Sequence, residues 1–285
     1  MLDFVGNIKL FNKERLRYLL ATLKSFEFVA KEVSVYLNIE QGKALIAPVT
    51  EFLSQTGFKK IHLVSRTGSY GQVYSELLSR CKNLFIMHLE EDHFCMANDI
   101  SWIEKMIETA HQTRTEVIRG TFFRMHKEIY KNAVALFEND DFKVMRLNQK
   151  LFEEVSKPGE DFFMCNNVIF KRELAKRYWG RPIKTHRPHE FEIPGYRDDF
   201  RHSLMTLKQE FLRPIDDDHG IPASCCLHNP EKKWTDTYYS IDLEPYKLWI
   251  RKNETENKLK YAKAHVRDFI KYRGGQIKRA IKGSS

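Results

Sequence analysis

Nowhere in its 285 residues does the chain approach the roughly 18 consecutive apolar side chains that a membrane-spanning helix needs. Met1 leads within three residues to Asp3 and an amphipathic segment, so no signal peptide is expected. Cysteine is sparse as well. The five present are an odd number and, apart from the adjacent Cys225 and Cys226, lie far apart. That is no disulfide framework for a chain of this size, and it points to a reducing compartment, with the cytoplasm as the expected location. Internal repeats and low-complexity segments are absent too. What is present is 42% hydrophobic residues, including 20 Phe, and 30% charged residues. This is the composition of a soluble chain with a substantial core, long enough for one extended α/β domain with an elaborated C-terminal part.

The net charge of +9 is unevenly distributed. Residues 251–285 hold eleven Lys or Arg against Glu254, Glu256 and Asp268, whereas residues 1–250 carry 36 basic and 35 acidic groups. The positive field therefore belongs to the C-terminal tail, and an anionic surface that meets this protein meets it there.

Hydrophobic periodicity outlines the first half. An apolar run to Leu10 predicts a strand, and Leu16, Leu19, Leu20, Leu23 and Phe26 then recur at helical spacing. Val33, Val35, Leu37 and Ile39 alternate as a second strand. A helix interrupted near Pro48 is expected from about Lys43 to Thr56, ended by Gly57 and followed by a third strand at Lys60 to Ser65. A turn-rich RTGSYG, a helix around Gln72 to Cys81 and the strand LFIMHL come next. The segment DISWIEKMIETAHQ reads as a helix capped by Asn98 or Asp99, and TEVIRGTFF as another strand. ALFEN to KVMRL forms a hairpin, and the proline-rich stretch from Pro182 to Pro222 long ordered loops. Alternating strands and helices make a mainly parallel sheet covered on both faces, in which ligands sit beyond the carboxyl ends of the strands.

LFIMHL runs into such an end, straight into Glu90, Glu91 and Asp92. Adjacent carboxylates repel unless a positive group compensates them, and a divalent cation bound to phosphates is the simplest such group. Glu90 and Asp92 stand two apart and fall on one side of extended backbone. An isolated acidic triplet more often just opens a solvated loop, with His93 and Phe94 turning back to the core. Its place inside an α/β pattern is what raises the metal reading.

Three segments in order resemble a GT-A glycosyltransferase of family 2. They are LFNKERLRYLLATLKSF, similar to that family's first loop and helix; GSYGQVYSELLSRCKNLFIMHLEED, similar to its succession of glycine, helix, strand and Asp-x-Asp; and CNNVIFKREL, which looks like its acceptor-side strand and helix. The likeness spans roughly residues 1–205. It implies a GT-A-like (Rossmann-like) α/β fold, with residues 1–120 binding a nucleotide-sugar and 121–245 forming a loop-rich acceptor half, and a transferase that inverts the anomeric centre. It implies Asp92 as a direct ligand of Mn²⁺ or Mg²⁺, Glu90 in or just outside the coordination sphere, and Glu91 facing the sugar or ribose. Asn12, Asn38 and Glu40 fall at donor-binding positions, and Gly71 allows close backbone approach. Glu90 departs from the aspartate the family has there. By the same resemblance, the base that takes the acceptor proton falls in GYRDDFRHSLM at the start of a helix, at Asp199 or Asp198, with Glu190 as a third candidate. The alternative role for the two aspartates is helix capping.

The segment IDDDHGIPASCCLH could hold zinc, but adjacent cysteines seldom give a closed tetrahedral site and no second C-x-x-C exists. A polar surface loop is the plainer reading, and by similarity to GT-A enzymes His219, ahead of His228, would supply a late metal ligand. Trp179, Trp234, Tyr238 and Tyr239 could stack on sugar rings, although such residues more often pack in a core. From residue 246 the pattern reads as a basic amphipathic helix with Leu259, Val266, Phe269, Ile270 and Ile277 in a stripe, bent at Gly274 and Gly275. It can lie on an anionic membrane surface, dock on its own domain, or meet nucleic acid; the near-neutral remainder of the chain argues against the last. The expected function is transfer of a sugar from a nucleoside-diphosphate donor to a glycan or lipid-linked acceptor, by a cytoplasmic enzyme that is peripheral at a membrane. The alternatives are a non-catalytic binding protein of the same fold, which the Glu90 departure favours, and an adaptor acting through its basic tail.

Overall fold

The computed structural model describes residues 2–68, 70–119, 133–146, 168–179, 203–208, 211–214 and 234–256. The apolar opening forms β1 (Leu2–Lys9), and Asn12, whose Oδ1 accepts from the Arg15 backbone N at 2.9 Å, caps α1 (Lys13–Ser25). The leucines spaced three and four apart in α1 are all buried. β2 (Val33–Glu40), α2 (Ile46–Gln55), β3 (Lys60–Val64), α3 (Tyr70–Arg80) and β4 (Phe85–His88) come next in the expected alternation. Pro48 does not interrupt its helix. A 3-10 turn (Lys43–Leu45) passes into α2 before the proline, which is then the third residue of α2, where a backbone N–H has no partner within the helix anyway. Gly57, with φ +95°, closes this unit in the left-handed conformation that glycine adopts at no steric cost.

Beyond β4 come the short β5 (His93–Cys95), α4 (Ile100–Gln112) capped by Asp99, and β6 (Val117–Arg119). β7 (Val134–Glu138) and β8 (Phe142–Arg146) form the anticipated hairpin, with an irregularity between Ala135 and Phe137. β9 (Val168–Lys171) leads directly into α5 (Arg172–Trp179). Within the proline-rich stretch the structure describes two strands, β10 (Ser203–Leu207) and β11 (Leu212–Pro214), so HSLM ends in a strand and not in a helix. α6 (Trp234–Ser240) and a helix at 247–256 complete the described chain.

Nine strands make one sheet in the order β3-β2-β1-β4-β9-β6-β10-β8-β7, and β5 with β11 makes a second, two-stranded one. β3, β2, β1 and β4 are mutually parallel, β9 runs against both its neighbours, and β6 is again parallel to β10. The central strands are buried on both faces, as the sheet's layering demands. Phe4 of β1 meets Phe26 beyond α1 at 4.7 Å between ring centroids, while Val5 and Asp3 point to the other face, where α3 packs. Mainly parallel strands flanked by helices are the fold class expected from the sequence.

A close approach at Gly6 in β1 sets the path of the chain beyond β4. A Cβ on Gly6 would stand 2.6 Å from the Leu89 carbonyl oxygen and 2.9 Å from Leu37 Cδ2. The missing side chain is what lets the backbone leaving β4 cross tightly over β1, where Leu89 N donates to Val5 O at 2.9 Å. Gly6→Ala should cost about 1–3 kcal/mol through this overlap with backbone, which cannot rotate away; a chemical-denaturation midpoint equal to wild type would show that the crossing is looser than the structure has it.

Candidate functional site

β1, β2, β3 and β4 all end on one edge of the sheet, at Lys9, Glu40, Val64 and His88. The chain leaving β4 turns there, through Glu90, Glu91 and Asp92, before β5 carries it back beneath α1. A polar stripe on α1 holds this turn in place. The Thr22 hydroxyl donates to Glu91 O at 2.9 Å, and Ser25 Oγ accepts from Cys95 N at 2.9 Å, both from buried positions. Arg15, seven residues before Thr22 and on the same helical face, extends its guanidinium over the carboxylates. Its Nη1 lies 2.7 Å from Asp92 Oδ2 and 3.3 Å from Glu91 Oε1.

From the opposite side His93 closes on the same acids. Its Nδ1 stands 2.9 Å from Asp92 Oδ1 and 3.2 Å from Glu90 Oε2, off the line that a directed N–H···O bond requires, so the buried nitrogen is held between the two oxygens by charge. Asp92 thus divides its oxygens, one toward Arg15 and one toward His93. Glu90 also faces His88, whose Nε2 is 3.6 Å from Oε1, and the other ring nitrogen of His88 is bonded to the Tyr74 hydroxyl.

Charge accounts for the ionisation of the cluster. Burial, reinforced by the Asp92 carboxylate beside it, pushes Glu91 up to about 7, with Arg15 opposing. Burial also works to raise Asp92, but the contacts with His93 and Arg15 outweigh it and hold that carboxyl at about 2. For His93 burial works downward and is outweighed by Asp92, Glu90 and Glu91, so its imidazole is raised above the ordinary value. The acids are therefore compensated in part by the protein's own Arg15 and His93. This tempers the expectation that a metal alone must balance them.

The raised Glu91 makes stability depend on pH. An acid whose folded pKa is raised stabilises the fold fully below its unfolded value, and that contribution is lost as the pH climbs to about 7. Glu90, Asp92 and Arg15 are the charged groups facing it. In metal-free protein, Glu91→Gln should match wild type at pH 5 and exceed it at pH 8 by about 2–3 kcal/mol at most. Equal stabilities at both values, measured by urea unfolding, would contradict the burial of this carboxyl.

Three of the anticipated site residues converge, and others serve the scaffold. Glu90 and Asp92 meet as expected, through a turn in place of extended backbone, and Glu91 faces α1 and Arg15. Asn12 is the cap of α1. Asn38 is fully buried, its Nδ2 donating to Asn7 Oδ1 (2.7 Å) and Arg66 O (3.1 Å) and its Oδ1 accepting from Arg66 N (2.7 Å), so it ties β2 to β1 and to the loop after β3. Glu40 ends β2 with Lys9 Nζ at 3.9 Å, and Gly71 lies in the first turn of α3. Glu190, Asp198, Asp199 and His219 lie outside the described residues. β11, which ends five residues before His219, pairs with β5 so that Pro214 stands opposite His93.

A parallel block, helices on both faces and an acidic turn where β4 ends complete the pattern. The architecture is a mainly parallel α/β sheet covered by helices. Among the described residues, Glu90, Asp92 and His93 bring their ligand atoms within 4.8 Å of one another, close enough that the group could hold a metal ion. No family model matches the sequence, and no curated protein matches it. Among solved structures it is similar to S. aureus TarS 1-349 in complex with UDP-GlcNAc, at 10% identity and a TM-score of 0.39 over 61% of this chain and 46% of that one. It is also similar to HddC from Yersinia pseudotuberculosis (11% identity, TM-score 0.42, 72% of this chain and 89% of that one). A third is a UDP-glucose pyrophosphorylase complexed with UDP-glucose (11%, TM-score 0.46, 88% and 99%). The chain spans about half the length of the TarS 1-349 chains it matches, 46–48%.

A cleft of about 660 Å³ lies on another face of α1, apart from the acidic turn, between Lys13 and Arg17 on one side and Lys247 and Arg251 on the other. The helix at 247–256 closes onto α1 there. Asn253 Nδ2 donates to Phe11 O at 2.8 Å, Lys13 pairs with Glu254 at 3.9 Å, and Trp249 and Ile250 pack on the core. Tyr238 lies against Tyr18 and under Arg17, and Tyr239 is exposed. No helix among the described residues is long and apolar enough to cross a membrane.

Proposed function

We propose that the chain is a metal-dependent, inverting glycosyltransferase that moves a sugar from a nucleoside-diphosphate donor to a glycan or lipid-linked acceptor. The observation that carries this reading is the turn after β4, where Glu90, Asp92 and His93 bring three ligand atoms together at the carboxyl edge of a parallel sheet, the edge at which such sheets bind their ligands. The donor set fits a divalent cation: two carboxylates and an imidazole, with His93 Nδ1 2.9 Å from Asp92 Oδ1 and 3.2 Å from Glu90 Oε2. These residues would hold a Mn²⁺ or Mg²⁺, which would supply positive charge to the departing diphosphate.

The chain's own residues do the rest. Arg15, at the N-terminal turn of α1, aims its charge across the same edge and steadies Asp92. Asp199, or else Asp198 or Glu190, takes the proton from the acceptor hydroxyl. The hydroxyl oxygen bonds to the anomeric carbon, the bond from that carbon to the phosphate oxygen breaks, and the nucleoside diphosphate leaves. The tail at 251–285, with its excess of eight positive charges, holds the cytoplasmic enzyme against an anionic membrane surface, near a lipid-linked acceptor.

The test is a thermal-shift screen of nucleoside diphosphates and their sugars, with and without Mn²⁺. The expected result is stabilisation by one nucleotide family, present only with the metal and intact after removal of residues 257–285; RT ln(1 + [L]/Kd) gives about 2.7 kcal/mol at a hundredfold excess over Kd. Stabilisation by none of them, or binding to anionic vesicles alone and lost with the tail, would favour an adaptor.

A further inference from the structure

The cleft between α1 and the helix at 247–256 plays no part in the chemistry at the acidic turn, yet at about 660 Å³ it has the size of a small-ligand site. The acids on its walls are engaged: Glu14 accepts from the Tyr18 hydroxyl at 3.2 Å, Asp242 from Glu244 N at 2.9 Å, and Glu244 holds Lys247. Lys13 leans on Glu254 at 3.9 Å. Two guanidiniums remain, because among the described residues neither Arg17 nor Arg251 forms an ion pair. Arg17 is half-buried over the Tyr238 ring, 5.1 Å from its centroid, and its Nε is buried without a hydrogen-bond partner. We propose that this cleft binds a phosphate group between Arg17 and Arg251, on a molecule whose apolar part lies against Leu243 and Ile250.

Charge and shape point to the same ligand. Like charges that face one cleft repel, and an anion placed between them relieves the repulsion. Each guanidinium offers a planar fork of donors that matches two phosphate oxygens, and such charge-assisted bonds are the strong ones. The Tyr238 ring beneath Arg17 fixes the plane of that fork and shields one side of it from water. Leu243 and Ile250, both partly buried against the core, form an apolar wall that a bare phosphate would leave uncovered. The two walls belong to α1, which also holds the acidic turn through Arg15 and Thr22, and to the helix from which the basic tail continues. A ligand here therefore fastens the root of the tail to α1.

The site is separate from the acidic turn, so its test uses neither metal nor nucleotide. Full-length protein in EDTA is titrated with hexyl phosphate and with inorganic phosphate by calorimetry. Wild type is expected to bind one hexyl phosphate, at least about 10-fold more tightly than inorganic phosphate because the chain covers the apolar wall. Arg17→Gln should weaken that binding about 10- to 100-fold, the loss of a charge-assisted bond, and still show the Mn²⁺-dependent nucleotide shift. Should Arg17→Gln fail to fold, Arg251→Gln, at an exposed position, replaces it. Lys252→Gln, on the same helix but outside the cleft, should bind as wild type does. Vesicles separate the two sources of such a phosphate: displacement of hexyl phosphate by phosphatidic acid in phosphatidylcholine, and not by phosphatidylcholine alone, assigns a lipid headgroup, and its retention a soluble ester. No saturable binding, equal affinity in folded Arg17→Gln, or an equal loss in Lys252→Gln would overturn the site. Any of these beside a metal-dependent nucleotide shift would leave the transferase reading standing, and a phosphate site with no nucleotide bound would do the reverse.

Discussion

Asp92→Ala abolishes the metal-dependent binding of nucleotide while leaving the sheet folded. The expected loss in nucleotide affinity with Mn²⁺ present is about 100-fold or more, because the substitution removes a ligand and also releases both groups that Asp92 steadies. Arg15 loses its 2.7 Å partner and His93 its 2.9 Å one. Leaving two partly buried cations without that anion also costs stability, about 3 kcal/mol if both stay charged. Asp92→Asn separates the two effects: an amide oxygen keeps part of the contact with Arg15 but is a poor metal ligand. Calorimetry should therefore find nucleotide binding lost in both variants and stability largely regained in the second. Undiminished nucleotide binding in folded Asp92→Ala would remove the turn from the site.

The second large effect falls at the other end of the same sheet. Asp3 is fully buried, yet its carboxylate is saturated: Oδ2 accepts from Lys82 N at 2.8 Å and Asn83 N at 2.9 Å, and Oδ1 accepts from Asn83 Nδ2 at 2.7 Å. These bonds fasten the α3–β4 connection to β1 and so set where β4 begins. Asp3→Ala strands three donors around an empty space and should cost about 3–5 kcal/mol, a fall in melting temperature of roughly 10 °C for a chain of this length. Asp3→Asn, which keeps one good acceptor, should lie between. Because the strand's far end carries the acidic turn, the surviving folded fraction should still bind nucleotide. A melting temperature within about 2 °C of wild type would mean that water replaces the carboxylate without penalty.

The elements that could be read from sequence are those whose burial imposes a period. The leucines of α1 and the alternating Val33 to Ile39 of β2 leave one solution each, and both formed as expected. β5 and β11 have three residues apiece, too few to show a period, and their pairing depends on a contact across more than a hundred positions. Pro48 misled for a local reason: it breaks a helix only where its missing N–H would have had a partner. At the site, acids at the end of an apolar strand were visible, because that pattern is unusual. Arg15 and His93 were not. Only the solvated-loop alternative places His93, turning it back to the core; its side chain is 8% exposed and faces the carboxylates. The signal that reveals Arg15 is spacing: Arg15, Thr22 and Ser25 form a polar stripe beside the buried leucines of α1, and a polar stripe on the packed side of a helix must face something polar.

A crystal of the full chain grown with Mn²⁺ and the nucleoside diphosphate that emerges from the screen, with anomalous data at the manganese edge, bears on the centre of this account. The expected peak lies between Glu90, Asp92 and His93, with Asp92 Oδ1 and a phosphate oxygen both within about 2.4 Å of it. A nucleotide bound with no anomalous peak beside Asp92, or a peak there with the diphosphate elsewhere, would contradict it.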